Sequence, residues 1–334
     1  MARRIEIVDI TPLEGPPGPA RDRADQALGA AAEEMGFLVL TGAPVERVTE
    51  PADLRTLLKL FSLPDPEKAR LLNRRFAPEH ENAYRGFFRH DRPDGSGRLH
   101  TEGFDMGPAE PGKAPADEVE ELLLEPNVWP EAGLLPGWRE AALAHHTRLE
   151  ALGRLLMRSF GRYLGLGEGY FEPFFDGGPS TLRFLRAPGR PDLMPEDADE
   201  KFRDRIDGRL QRLATPSHKD SGVLTLLWQE GGLQAQDPDG AWVSAPRVER
   251  SLNINFGDCL EFWTGGRLSA TPHRVVAVER ERFSVPFFFE PRVDAVIAPV
   301  TGQPDGCPPV RYADHVYQKM LGFGTHGKVR DKAA

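Results

Sequence analysis

His218-Lys219-Asp220-Ser221-Gly222-Val223-Leu224-Thr225-Leu226-Leu227-Trp228-Gln229 is the stretch that decides how this chain reads. It sets a histidine and an aspartate two residues apart, just ahead of an apolar, strand-like run. In extended chain, residues two apart share a face at a spacing of about 6.6 Å. An imidazole and a carboxylate there can converge on one ion while Lys219 points away. His273 opens a second strand-like run, His273-Arg274-Val275-Val276-Ala277-Val278. Two neutral imidazoles and one carboxylate form a facial triad that leaves coordination positions open, a set suited to non-heme Fe(II) and dioxygen. Arg282-Phe283-Ser284 follows. The same alternation puts Arg282 and Ser284 on one face, where a guanidinium fork beside a hydroxyl is a receptor for a carboxylate. Phe283, Val285, Phe287 and Phe289 would fill the opposite, apolar face.

Working outward, strand-like runs recur at Leu182-Arg183-Phe184-Leu185, Val223 to Trp228, Gly232 to Gln236, Leu252 to Phe256, Leu260 to Trp263, His273 to Val278 and Phe283 to Phe289. Turns such as Asp237-Pro238-Asp239-Gly240 and Thr264-Gly265-Gly266 separate them. This pattern predicts a β-sandwich or jelly roll. The charged stretch Arg190 to Gln211 reads as an exposed insertion before the first metal segment, with a lid as its candidate role.

Toward the amino terminus, Ile5 to Ile10 predicts a short strand, Ala24 to Met35 a helix, Gly36 to Leu40 a buried strand and Leu54 to Ser62 a helix stopped at Pro64. Tyr84 to Phe88 and Glu102 to Met106 read as aromatic segments in a loop-rich region. From Pro136 to Leu164, Trp138, Ala142, Leu149, Leu152, Leu156 and Phe160 recur at three- and four-residue steps, which predicts a long helix with one buried face. Tyr312 to Leu321 reads as a closing helix. The chain is therefore expected to be one compact unit in four parts: a mixed α/β region with substrate-side loops (1–125), a supporting-helix region (126–180), the catalytic β core (181–299) and a tail helix (300–334).

Composition narrows the function. Among 334 residues, 42 are Lys or Arg and 51 are Asp or Glu, a formal charge of −9, which argues against nucleic acid or an anionic membrane as the main partner. No run approaches the roughly 20 apolar residues needed to cross a bilayer. The first residues lack an apolar segment of signal-peptide length. Two cysteines, Cys259 and Cys307, exclude a disulfide scaffold and a cysteine-based metal site, and a reducing cytoplasmic setting is expected. His145 and His146 are adjacent and cannot share a helix face, so packing is expected of them rather than ligation.

The motifs resemble those of the isopenicillin N synthase-like branch of the Fe(II)/2-oxoglutarate-dependent dioxygenases. The resemblance rests on His218 to Gln229, Gly231 to Val243, Asn255-Phe256-Gly257-Asp258, Trp263 to Val275 and Arg282 to Phe288, with Ile7-Val8-Asp9, Gly36-Phe37-Leu38, Phe61 to Pro64, Lys68 and Asn127-Val128-Trp129-Pro130 in the first half. It implies a double-stranded β-helix, a jelly-roll variant of mixed α/β class with a mainly β core and flanking helices. It implies His218, Asp220 and His273 as Fe(II) ligands, and Arg282 and Ser284 as the anchor for the distal carboxylate of 2-oxoglutarate, with dioxygen as co-substrate. The implied activity is oxidation, foremost hydroxylation, of a small-molecule substrate with decarboxylation of 2-oxoglutarate to succinate. Many members carry a tyrosine before the proline in the segment matching Leu182 to Pro188; here Ala187 stands there. Arg183 and Arg186 are the candidates to compensate, Arg183 toward 2-oxoglutarate. Arg186, Phe104, Phe288 and His100 are the candidate substrate contacts. No nucleic acid or membrane partner is expected, and the chain is expected to be a monomer or weak homodimer. Two other readings stay open: an iron oxidase of this fold that clamps a substrate carboxylate and uses no 2-oxoglutarate, and a non-catalytic binding protein.

Overall fold

The computed structural model describes residues 3–91, 99–189, 200–300 and 308–322. In chain order its principal strands are β1 (Glu6–Asp9), β2 (Phe37–Thr41), β3 (Gly86–Asp91), β4 (Leu99–Met106), β5 (Thr181–Ala187), β6 (Arg203–Ile206), β7 (Arg209–His218), β8 (Leu224–Gln229), β9 (Leu233–Gln236), β10 (Trp242–Ser244), β11 (Leu252–Phe256), β12 (His273–Val276) and β13 (Arg282–Phe289). They form an eight-stranded sheet ordered β1-β2-β11-β8-β13-β5-β4-β3 and a five-stranded sheet ordered β10-β9-β12-β7-β6. This is the expected jelly roll with flanking helices. Strands from the first 106 residues pair directly with later ones, β2 with β11 and β4 with β5.

Alternation along each strand of the large sheet sorts its side chains into two environments. On β13, Val285, Phe287 and Phe289 are buried in the larger core, while Arg282 and Ser284 lie on the other face. On β11, Leu252, Ile254 and Phe256 join that same core, and Asn253 and Asn255 take the opposite side. The helix Trp138–Tyr163 covers the apolar face: His146 meets Phe287 edge-on at 5.0 Å, and Phe160 meets Phe256 at 5.3 Å. His145 and His146 are both buried there, as packing residues; His146 Nε2 lies 2.9 Å from the Ser180 carbonyl. A smaller cluster of Phe37, Val39, Leu233, Ala235 and Val275 lies between the two sheets.

Three expectations need correction. Leu260 to Trp263 belongs to a short helix, Asp258–Trp263, whose buried Cys259, Leu260 and Trp263 follow helical spacing; an apolar run this short does not reveal its period. Gly86 to Phe88 and Glu102 to Met106 are not in a loop region: β3 and β4 are a hairpin in the large sheet. Charges hid their alternation, and those charges are paired, Glu102 with Lys68 and Arg186, and Asp105 with Arg183. The stretch Arg190 to Gln211 is not all insertion. Its residues 190–199 lie outside the described residues, as does Cys307, but Arg203 to Ile206 and Arg209 onward form the β6–β7 hairpin. Its turn is Asp207-Gly208, both with positive φ (50° and 76°), the signature of a tight hairpin.

Gly36 joins the first long helix to β2 with φ of 63°, and a Cβ there would sit 2.0 Å from the Ser269 carbonyl oxygen. Strain and collision act together, so Gly36→Ala is expected to destabilise the fold by about 2 kcal/mol or more. The denaturation midpoint measures it against Gly133→Ala, where a Cβ meets nothing within 4 Å.

Candidate metal centre

β7 ends on His218, and β12 begins on His273 directly across from it. The two rings lie 4.2 Å apart. Each Nδ1 faces a backbone carbonyl, Pro216 at 2.9 Å and Thr271 at 3.2 Å. A carbonyl accepts only, so each ring carries its proton on Nδ1 and presents the Nε2 lone pair. Both Nε2 atoms face Asp220 Oδ1, at 3.6 and 3.7 Å.

Asp220 sits in the loop between β7 and β8. Its second oxygen, Oδ2, accepts hydrogen bonds from Thr225 Oγ1 at 2.6 Å and Asn255 Nδ2 at 2.7 Å. Thr225 and Asn255 are paired in register on adjacent strands of the large sheet. The carboxylate is thus oriented so that Oδ1 alone points between the rings. Burial works against its ionisation; positive charge on the two imidazoles, when they carry it, and the two hydrogen bonds work for it and hold the carboxyl below its ordinary value. Burial also lowers the pKa of His273, against the pull of Asp220, so its ring is neutral at pH 7. Among the described residues these three form the one cluster of metal-ligand type, with ligand atoms within 4.8 Å of one another. Two neutral nitrogens and one anionic oxygen, each oriented from behind, suit a divalent transition metal. Lys219 turns away to Glu261.

The loop is held from below. Asp258 N–H donates to the Asp220 carbonyl at 2.9 Å and Gly257 N–H to the Val223 carbonyl at 3.1 Å. A Cβ on Gly257 would lie 2.1 Å from the Gly222 carbonyl oxygen, so only glycine allows this approach. His315, on the closing helix Tyr312–Gly322, places Nε2 3.0 Å from the Ser221 carbonyl and 2.8 Å from Asp258 Oδ1.

Farther along the same sheet face lies Arg282, 6% exposed, with Ser284 at 2%. Arg282 Nε donates to the Gly231 carbonyl at 2.6 Å, and its terminal nitrogen lies 3.5 Å from Ser284 Oγ. Among the described residues no carboxylate reaches ion-pair distance of this guanidinium. Burial, only partly offset by Glu230, pulls its pKa down to about 10. A buried cation without an anion is costly, and a bound carboxylate would remove that cost.

The remaining expected site residues separate by face. Arg183 is on the metal side, stacked between the Phe88 and Phe288 rings at 5.1 and 5.3 Å, and its Nε and one terminal nitrogen chelate Asp105 at 2.7 Å each. Phe288 therefore also lies on the metal side. Phe104 and Arg186 project from the opposite face. Phe104 is fully buried against Trp138, and Arg186 bonds Glu102 and Glu281, so neither sits where a substrate contact was expected. His100 is buried with Nε2 3.3 Å from the Ala214 carbonyl of β7 and its ring against Phe202. Thr225 and Asn255 were missed as site residues. The available signal was alternation in Leu252-Asn253-Ile254-Asn255-Phe256, where two amides share a face that apolar residues avoid.

Sequence comparison agrees with this geometry. Residues 195–291 match the family model described as 2OG-Fe(II) oxygenase superfamily, and residues 5–132 match the one described as non-haem dioxygenase in morphine synthesis N-terminal. The chain belongs to the 2OG-Fe(II) oxygenase superfamily. Its relatives include homoarginine-6-hydroxylase from Oryza sativa, 29% identical over 96% of this chain and 97% of the relative. Isopenicillin N synthase from Streptomyces clavuligerus is 26% identical over 96% of this chain and 93% of its own length. A solved 2OG-Fe(II) oxygenase family protein from Caulobacter crescentus superposes with a TM-score of 0.76 at 25% identity, covering 96% of this chain and 99% of that one. As a member of this family the chain is an oxidoreductase, a 2-oxoglutarate-dependent dioxygenase using Fe(II). No helix among the described residues is long and apolar enough to cross a membrane.

Asn255→Ala removes one of two hydrogen bonds that aim Asp220. Affinity for Mn(II), used as an oxidation-resistant probe, is expected to fall about tenfold. Isothermal titration against the unmodified protein checks this, and equal affinity would show that the carboxylate needs no such support.

Proposed function

We propose that this dioxygenase hydroxylates a small organic molecule, with His218, Asp220 and His273 holding Fe(II) and with Arg282 and Ser284 gripping the distal carboxylate of 2-oxoglutarate. The observation that carries this reading is a converged two-imidazole, one-carboxylate cluster on the same sheet face as a buried guanidinium that lacks a carboxylate partner. Register supports the arrangement: Ser284 faces Gln229 on β8 and Phe288 faces Thr225, so clamp and cluster are four residues apart, about 13 Å of strand. Side chains from both ends, with a small dicarboxylate between them, fill that interval. Bound there, Fe(II) supplies oxidative decarboxylation of 2-oxoglutarate to succinate and carbon dioxide, coupled to oxidation of the substrate by dioxygen.

The protein's part is orientation and exclusion of water. Thr225 and Asn255 fix the carboxylate, the Pro216 and Thr271 carbonyls fix the rings, and Arg282 fixes the far end of the co-substrate. Phe288 offers apolar surface on the metal side, and the packed cluster of Phe37 and Val39 backs the site against water. Small-molecule chemistry also accords with the acidic net charge, and the rice relative is named for hydroxylation of an amino acid.

The test is anaerobic titration of the protein with Fe(II) and 2-oxoglutarate, following the weak visible charge-transfer band of the chelate. His218→Ala or Asp220→Ala is expected to abolish the band. Arg282→Ala is expected to weaken 2-oxoglutarate binding at least about tenfold with the metal still bound. Succinate formed in step with oxygen uptake separates this reading from an oxidase that uses no 2-oxoglutarate.

A further inference from the structure

A second group of buried charges lies on the metal side of the large sheet, at the end away from Arg282. Arg183 is chelated by Asp105 through two of its nitrogens, and its third, NH1, has no partner among the described residues. The Arg183 side chain is set between two rings yet keeps 25% of its surface accessible. Arg85, 1% exposed, donates to Thr181 Oγ1 at 2.7 Å and to the Pro179 carbonyl at 2.8 Å and forms no ion pair among the described residues. Glu290, just beyond β13, has its backbone N–H on Ser180 Oγ at 3.1 Å, and its Oε1 accepts the Tyr312 hydroxyl at 2.9 Å. Its Oε2 has no partner among the described residues.

Glu290 belongs to the metal neighbourhood. A Cβ on Gly222, two residues past Asp220, would lie 3.6 Å from Glu290 Oε1 and 3.5 Å from the Tyr312 hydroxyl. Register places Arg183 across from Pro286, since Ser284 faces Leu185 and Phe287 faces Leu182. Arg183 and Glu290 thus arise about 13 Å apart along the strands, and their side chains bracket the interval from its two ends. Burial pushes the Glu290 carboxyl up to about 7, and Arg85 and Arg183 are close enough to pull against that rise.

We propose that Arg183 NH1 and Glu290 Oε2 form the receptor for an amino-acid substrate, the arginine taking its carboxylate and the glutamate its ammonium group. This rests on the dioxygenase reading above and deepens it. Charge balance favours a zwitterion over a simple cation or anion. With Glu290 ionised, as an ammonium partner would hold it, Arg85 and Arg183 offset Asp105 and Glu290, so a substrate of either single sign would leave one charge buried without compensation. A zwitterion adds no net charge and gives each open atom a partner of opposite sign. The Phe88 and Phe288 rings flanking Arg183 leave apolar wall for the rest of the molecule. A tether between Glu290 and the closing helix accounts for Oε1 alone and leaves both open atoms unexplained.

The experiment is isothermal titration of the protein loaded with Mn(II) and 2-oxoglutarate, using a panel of L-α-amino acids and ω-amino acids with their deaminated and decarboxylated counterparts. At least one amino acid is expected to bind saturably, and loss of either charged group to weaken it about tenfold or more. Glu290→Gln is expected to weaken that amino acid to the same degree while 2-oxoglutarate affinity stays within about twofold. Tyr312→Phe, which keeps the carboxylate, is the control for a tether: if both variants lower the melting temperature alike and neither alters amino-acid binding, the receptor assignment is overturned. It is equally overturned if no panel member binds below about 10 mM, or if the single-charge counterparts bind as tightly. Failure of the Fe(II) and 2-oxoglutarate charge-transfer band would sink the dioxygenase reading; an intact band with failed amino-acid binding sinks only this one.

Discussion

Asp220 uses its two oxygens differently, and much of the architecture serves that difference. Oδ2 is held by Thr225 of β8 and Asn255 of β11, while Oδ1 is left to two imidazoles carried by the opposite sheet. A carboxylate free to rotate would exchange these oxygens and average the cluster away. Fixing it requires β8 and β11 to be neighbours in register, and presenting the rings requires β7 and β12 to be neighbours across the sandwich. A jelly roll supplies both pairings, because the chain crosses between its two sheets from β7 to β8 and again from β11 to β12.

The same strands serve two environments through their period of two. β11 illustrates it: Leu252, Ile254 and Phe256 pack toward the helices, and Asn253 and Asn255 turn toward the metal side. β13 repeats the rule with phenylalanines on one face and Arg282, Ser284 and Phe288 on the other. A shift of one residue in either strand would bury the clamp under the long helix and expose the phenylalanines to the cavity. The apolar core therefore sets the register that the chemistry depends on. The helix Trp138–Tyr163 and the packing of Gly153 beneath the Phe289 ring take part in the site without touching it.

How much of this was legible in the chain followed from whether the signal was local. The His218-Lys219-Asp220 spacing and the Arg282-Phe283-Ser284 alternation are local signals, and both groups converge, Asp220 from the loop just past β7 and Arg282 with Ser284 by the two-residue period of β13. The β3–β4 hairpin was obscured because Glu102 and Asp105 break the apolar pattern, and their partners Lys68, Arg186 and Arg183 lie far away in sequence. Phe104 and Arg186 read as candidate substrate contacts for a related reason: which face of β4 and β5 turns toward the metal is set by the pairing of β5 with β13 and of β4 with β5, which no local pattern encodes. The β6–β7 hairpin was legible in Asp207-Gly208 but masked by its surrounding charge.

Buried arginines show how the metal side is organised electrostatically. Arg183 has Asp105, so its charge is offset within the protein. Arg282, like the buried Arg85, has only neutral partners, here a carbonyl and a hydroxyl. Burying such a group is costly unless an anion lies close: Glu290 is near enough to act on Arg85, and at Arg282 a bound carboxylate would supply the missing charge. Along β13 the order is then Arg282, Ser284, Phe288 and, just past its end, Glu290, with Asp220 reached across from Thr225 at the level of Phe288. One central strand thus runs from a cation with neutral partners, past the ligand cluster, to a carboxylate set among opposing charges. That gradient distinguishes the two ends: the Arg282 end has a deficit of negative charge suited to an acid, and the Glu290 end is neutral as a whole and suited to a molecule that is neutral as a whole.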